Sequence, residues 1–411
     1  MASTSPAAPR PELNDKRLLR RVNALRRTDN FTNWFYLARE YLFCGAVIGL
    51  TVTFYHLRAS WDLGWVWNIP VTLLAVLLMG VCQHRLTILG HEASHYMLFR
   101  NRLLNELASD WLCMFPLLSL THNYRLQHLS HHQYVNHPEH DPDLIFMRAV
   151  RHCFRPHMPR WAYLSQCVIR RLLWVPGLVR YIRVRARYTA TGSGSGPYQG
   201  RRPRSRLLIG VGIGYFLALA VTMTALAAWG NPRLLALVPA AMLAVVAGFY
   251  ALVPDRLYPQ TLVKPDVPPR CYTLLRMTYM TLLYTGLAWL GYLTDRPWGL
   301  YYVLLWVVPL LTAFPFFMIL REEVQHGHTD RGRFTSTRLF RGNRLIRYAV
   351  FPLGMDYHLP HHLFPMVPHY RLKVLHELLM AVDEYRQQTP VAEGYLFPRR
   401  PRTPRPPREA A

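Results

Sequence analysis

The chain has 411 residues, 51% of them hydrophobic, and a formal net charge of +25. Strongly basic soluble proteins are usually poorer in apolar residues, so the apolar and basic residues must be segregated along the chain. The placement of the charges excludes a nucleic-acid binder. The cysteines at 44, 82, 113, 153, 167 and 271 show no CxxC spacing, so neither Cys-ligated zinc nor disulfides are expected.

Residues 1–33 read as a basic arm, with Lys16, Arg17, Arg20, Arg21, Arg26 and Arg27 ahead of the first apolar run. The arm lacks an apolar h-region, which argues against a cleaved signal peptide. Leu18, Val22 and Leu25 share one helical face, as in a helix lying on an anionic membrane surface, although a solvated basic tail has the same composition. Residues 34–398 read as one membrane domain. Apolar runs near 34–55, 65–82, 207–229, 234–253, 274–293 and 300–320 have about the 20 residues needed to cross a bilayer core.

Trp111–Leu120 is too short to cross and is interrupted by Pro116, so it is expected to be re-entrant or interfacial. Trp161–Tyr188 mixes apolar residues with Arg170, Arg171, Arg180 and Arg183 and is expected at the interface. Residues 189–206 have linker composition, and 399–411 form a Pro/Arg tail. Arginine is dense between Arg85 and Arg206 and again after Arg321, whereas the short loops on the other side hold Arg58, Arg233 and Arg296. This asymmetry places both termini and the long middle segment in the cytoplasm. The expected fold class is all-α: a polytopic helical membrane protein with a cytoplasmic helical cap.

Three histidine clusters fall outside the spans: HEASH at 91–95, HLSHH at 128–132 and HLPHH at 358–362. Two spans precede the second cluster and four separate it from the third, so all three lie at one membrane face. Spacings of i, i+4 and of i, i+3, i+4 bring side chains to one side of a helix, so each cluster is expected to offer two or three nitrogens to one point. Eight histidines exceed the three or four ligands of one zinc, which points to two metals, and imidazole-rich sites suit iron, copper, zinc and nickel. A metal-bound imidazole needs an acceptor for its other nitrogen; Glu92, Asp141, Asp143, Glu322, Glu323 and Asp356 are the candidates. His56, His84, His152, His157, His369 and His376 are read as ordinary structural or surface residues, and His122, His137 and His140 as neighbours of the second cluster.

The pattern HxxxH, HxxHH, HxxHH resembles the integral-membrane fatty acid desaturase superfamily, which also holds hydroxylases and carotenoid-modifying enzymes. HEASHYMLFR (91–100), YRLQHLSHHQYVNHPEHDPDL (124–144), WVVPLLTAFPFFMILREEVQHG (306–327) and DYHLPHHLFPMVPHYRLKVL (356–375) are similar to segments of bacterial members. The likeness covers most of the chain outside the arm, the tail and residues 150–260. It implies a non-haem di-iron centre with His91, His95, His128, His131, His132, His358, His361 and His362 as ligands, and His326, or its neighbour His328, as a ninth. It implies four spans, leaving 207–253 as an extra hairpin that crosses or lies in the interface.

Gln325, Asp356 and Pro360 stand where many relatives have Glu, Asn and Glu. Pro360 disfavours helix at Leu359, so His358 is expected on the turn before a helix. The reaction implied is O2-dependent desaturation of a lipid or acyl chain in a bacterial inner membrane; Arg125 is a candidate either for an anionic headgroup or for a structural ion pair. A hydroxylase or ketolase of the same superfamily is the alternative, and a metal transporter a remote one. No GxGxxG motif, iron–sulfur cysteine set or haem domain is evident, so electrons are expected from a ferredoxin or cytochrome.

Overall fold

The computed structural model describes residues 12–152, 159–187, 197–198, 205–327 and 329–394. The whole of the tail, most of the 189–206 linker, and His157 and His328 lie outside the described residues. The helices used below are α1 (Lys16–Leu25), α2 (Thr32–Leu57), α3 (Asn68–Ser94), α4 (Arg102–Ser109), α5 (Thr121–Gln133), α6 (Pro142–Ala149), α7 (Val175–Arg185), α8 (Arg206–Trp229), α9 (Pro232–Leu252), α10 (Pro269–Thr294), α11 (Trp298–His326), α12 (Arg344–Ala349), α13 (His358–Leu363) and α14 (Leu372–Leu379). A parallel pair of three-residue strands, β1 (Leu339–Arg341) and β2 (Val391–Glu393), ties the C-terminal segment back to the cap. The protein is an all-α polytopic membrane protein.

Among the described residues, five helices are long and apolar enough to cross a membrane: α2, α3, α8, α9 and α11. Their outer faces carry bare leucines and valines, such as Leu42, Leu50, Leu217, Val245 and Leu252, each at least 64% exposed. In water each would forgo about 1.5–3 kcal/mol of burial, whereas lipid accepts them. Trp61, Trp65 and Trp67 sit exposed at the tip of the α2–α3 hairpin, as in an interfacial aromatic belt. The sixth expected span, α10, is a helix of 26 residues packed against α8 and α9, but it is less apolar because Thr273, Thr278, Thr281 and Thr285 line it.

Two sequence expectations are corrected here. The apolar face of α1 meets protein rather than lipid: Leu18 and Val22 are buried in a core shared with Leu372, Leu375 and Leu379 of α14. Cys44 of α2 and Cys82 of α3 form a disulfide, because the antiparallel hairpin brings positions 38 residues apart to a Cα separation of 6.4 Å. Spacing along the chain carried no sign of a pairing made by helix packing.

The segment Arg102–Leu120 holds no helix long enough to cross. It runs as α4, continues through a π-type turn over Asp110–Met114, and reverses at Leu118, where φ is 57°. Packing of α3 against α11 is close, since a Cβ added at Gly80 would lie 2.8 Å from the Ala313 carbonyl carbon. That approach brings the C-terminal ends of α3 and α11 together, and both ends carry histidine.

Candidate metal centre

Four separate segments deliver nine histidines. His91 lies in the last turn of α3 and His95 caps its end. His128, His131 and His132 lie along the last turns of α5, His326 ends α11, and α13 carries His358, His361 and His362. The turn before α13 passes through Gly354 at φ 79°, where an added Cβ would lie 2.7 Å from the His369 carbonyl oxygen, so glycine is required there. His358 is the first residue of the helix rather than part of the preceding turn. Pro360 is tolerated because the first-turn N–H groups have no intrahelical acceptor to lose.

The ring nitrogens fall into two groups, within each of which all ligand atoms lie within 4.8 Å of one another. One holds His91, His95, His128, His132 and His361; the other holds His131, His326, His358 and His362. Each HxxHH box therefore offers two nitrogens to one group, within the expected two or three, and its remaining histidine to the other. At 3.6 residues per turn, positions i and i+4 point about 40° apart, while i+3 lies about 60° to the other side of i. In α5 the i, i+4 pair serves the five-residue group and His131 serves the other; in α13 the assignment is exchanged, with His361 alone joining the five.

The donor set suits cations. His132 Nε2 lies 3.0 Å from His128 Nε2 and 3.1 Å from His361 Nε2, and His358 Nε2 lies 2.9 Å from His326 Nε2 and 3.1 Å from His362 Nε2. A neutral imidazole has one N–H, so three facing nitrogens cannot all be donor–acceptor matched. A cation held about 2.0–2.1 Å from each nitrogen would suit that spacing. The Nε2 atoms of His91 and His95 are buried without hydrogen-bond partners.

Burial depresses the imidazolium form of His95 to about 3, and holds His128, His132, His358, His361 and His362 well below the usual range, leaving lone pairs free to ligate. His131 differs. Burial opposes its charge, yet Asp141 and Asp143 beside it raise it to about 10.

Asp141 is placed by the sequence Asp-Pro-Asp at the start of α6. It is the N-cap, accepting the Asp143 N–H at 3.0 Å, with Pro142 at the first helical position, and it also accepts the Asn136 N–H at 2.8 Å. Its Oδ1 accepts His131 Nδ1–H at 2.9 Å, which turns Nε2 of that ring toward the group of four. Asp143 Oδ2 lies 3.4 Å from the same nitrogen. Glu92 Oε1 lies 3.3 Å from His91 Nδ1, while its Oε2 accepts the His369 N–H at 2.8 Å.

Two sequence assignments do not fit. Asp356 pairs with Arg347 Nη2 at 2.6 Å instead of backing a histidine, since its side chain turns toward α12. Of the two readings of Arg125, the headgroup one fails and the structural ion pair holds, since the residue is 1% exposed and cannot meet a headgroup at the surface. It forms a two-pronged ion pair with Glu106, donates to the Ser94 and Ala93 carbonyls at 3.0 and 2.9 Å, and stacks over Tyr96 at 4.1 Å. Its role is to fix the chain between His91 and His95.

His122 meets Thr261, His84 meets the Ala349 carbonyl, and His137 and His140 stack on each other, all apart from the two groups. His369, read from sequence as ordinary, is buried and joins Glu92 to Asn33, whose Oδ1 lies 2.9 Å from its Nε2. Its place in PHYRL, seven residues beyond the third box, was the available signal. A cavity of about 110 Å3 beside the centre is lined by Tyr124 and Asp143 together with Met114, Leu117, Phe314 and Met318.

Fold and site together define a helical membrane protein with two adjoining histidine centres at one end of its spans. The fatty acid desaturase family model matches residues 67–261 and 248–392, and the chain belongs to that family. The match includes residues 150–260, which the sequence segments alone had left out. Over 124 residues the chain is 37% identical to the dihydrorhizobitoxine desaturase of Bradyrhizobium elkanii, covering 30% of this chain and 32% of that protein. The chain thus spans about a third of the length of that relative.

Proposed function

We propose that the protein is a membrane di-iron desaturase of the bacterial inner membrane, with its histidine centre and both termini on the cytoplasmic side. It would act on an acyl or other lipid chain with O2 and electrons from a separate carrier protein. The observation that carries this reading is the convergence of nine nitrogen donors, five and four, from segments as far apart as His91 and His362.

Two irons would be held by His91, His95, His128, His132 and His361 and by His131, His326, His358 and His362. Bound iron supplies the oxidising power, with O2, that an unactivated C–H bond requires and side-chain acids and bases lack. The overall balance is that the substrate loses two hydrogens, O2 becomes two waters, and the carrier supplies two electrons with two protons from solvent.

The chain's own residues do the positioning. Asp141 holds the His131 ring by its Nδ1 proton, and Arg125 fixes the backbone between His91 and His95. Met114, Leu117, Phe314 and Met318 offer an apolar wall against which a methylene chain can lie beside Tyr124 and exclude water. The match to a protein named as a desaturase favours loss of hydrogen over gain of oxygen.

The test is the lipid profile of a host expressing the wild type beside His131→Ala, with iron measured on both purified proteins. Products lighter by two hydrogens and present only with the wild type support the reading. Products heavier by one oxygen would make it a hydroxylase, and identical profiles from iron-free proteins would refute di-iron catalysis.

A further inference from the structure

An open cleft of about 420 Å3 lies on the flank of the cap, between the start of α2, the end of α3, α12 and the turn before α13. Arg39, Arg85, Arg344 and Arg347 border it. Glu40 takes Arg39 at 2.6 Å and Arg85 at 2.6 and 2.8 Å, and Asp356 takes Arg347 at 2.6 Å, so three of the four cations share two carboxylates. Among the described residues Arg344 has no acidic partner, and it is exposed at the rim beside Leu345, which is 74% exposed. The cleft is thus positive, with an apolar and aromatic rim that includes Tyr348.

Its floor leads to the centre. Tyr36 stands edge-on to the His369 ring at 4.6 Å and parallel to Tyr370 at 6.4 Å. The His369 N–H bonds to Glu92 Oε2 at 2.8 Å, and Glu92 Oε1 lies 3.3 Å from Nδ1 of His91. The path from the open cleft to a ring of the five-residue group therefore consists of covalent bonds, one hydrogen bond and one contact. Electron tunnelling falls off steeply with gaps through space, so a bonded route of this kind is where a carrier would gain most by docking.

We propose that this cleft is the docking surface for the electron carrier, a small acidic one-electron protein whose carboxylates meet Arg344 and its neighbours and whose redox group faces Tyr36 and His369. The proposal rests on the desaturase reading above and adds the place where reducing equivalents enter. The carrier is oxidised by one electron per encounter, and two encounters supply the pair that the reaction consumes.

The experiment measures the affinity of the full chain, in phosphatidylcholine nanodiscs at low ionic strength, for an oxidised acidic [2Fe–2S] ferredoxin. Iron content and lipid products are read separately. Arg344→Glu is expected to weaken binding about tenfold and Arg344→Gln by a smaller factor, with the differences vanishing near 1 M salt, where the Debye length is about 3 Å. Arg333→Glu, the same charge change at an exposed residue off the cleft, is expected to change affinity less than about twofold.

Equal weakening by Arg344→Glu and Arg333→Glu, or none by either, overturns the surface. So does an effect of Arg344→Glu that appears only in nanodiscs containing anionic lipid, which would make the cleft a headgroup site. A chain that binds ferredoxin through Arg344 but holds no iron leaves the surface standing and sinks the desaturase reading. An active, iron-bearing chain with unchanged affinity in Arg344→Glu sinks the surface alone.

Discussion

The two histidine groups are built from the same residue type on shared helices, yet they are backed differently. In the group of four, His131 is gripped at 2.9 Å by an aspartate that a helix N-terminus and two backbone N–H groups hold in place. In the group of five, the nearest carboxylate is Glu92, at a longer 3.3 Å from His91 and already engaged by the backbone of His369. The lesson is that equal ligands need not make equal centres, because the acceptor behind an imidazole sets its orientation and basicity. One centre is stiffened by charge. The other is stiffened by packing and remains linked to the exposed cleft.

The largest expected effects test whether both groups hold metal. His128→Ala in the group of five and His358→Ala in the group of four should each lower product formation by more than about 100-fold, beyond the range seen when only an outer partner of a ligand is lost. Metal analysis should find each protein short of one ion. Retention of two ions in His358→Ala would show that the group of four is not a metal site.

Next, Asp141→Asn should weaken metal retention at the group of four by about 10- to 100-fold, read by competition with a chelator. Glu92→Gln should cost less, about tenfold or under, because its contact is longer. A reversal of that order would mean the contrast between the centres has been misread.

The smallest expected effect is on pH. In the metal-free protein the buried His95, pushed down to about 3, is neutral when folded and protonated below its ordinary 6.5 when unfolded. Its contribution is therefore present above pH 6.5 and lost as pH falls toward 3. His131, raised to about 10, contributes fully below 6.5 and loses its contribution as pH rises through 10. Thermal unfolding should show stability falling on both sides, with the alkaline loss reduced in Asp141→Asn, Asp143 remaining beside His131. An unaltered alkaline limb in that variant would remove the His131–Asp141 pair as its source.

Much of this was legible in the chain itself. Apolar length marked five helices long and apolar enough to cross, of the six expected, since a bilayer imposes its thickness on any helix that crosses it, and the three histidine boxes with His326 named the residues that gather. What could not be read were relations made by packing. The division of each HxxHH box between two points depends on where neighbouring helices stand. The fate of Arg125 depended on Glu106, 19 residues away, and that of Asp356 on Arg347. Cys44 and Cys82 meet only because their helices run antiparallel side by side. His369 meets Glu92 through its backbone N–H, an atom every residue but proline possesses, so that contact could not be read from residue type.

The short helix α13 has a mechanical consequence. Six residues carry His361 to one group and His358 and His362 to the other, on a turn whose Leu359 is fully enclosed. It behaves as a yoke: any shift of this turn moves nitrogens in both centres at once, so their separation is governed by a single small part.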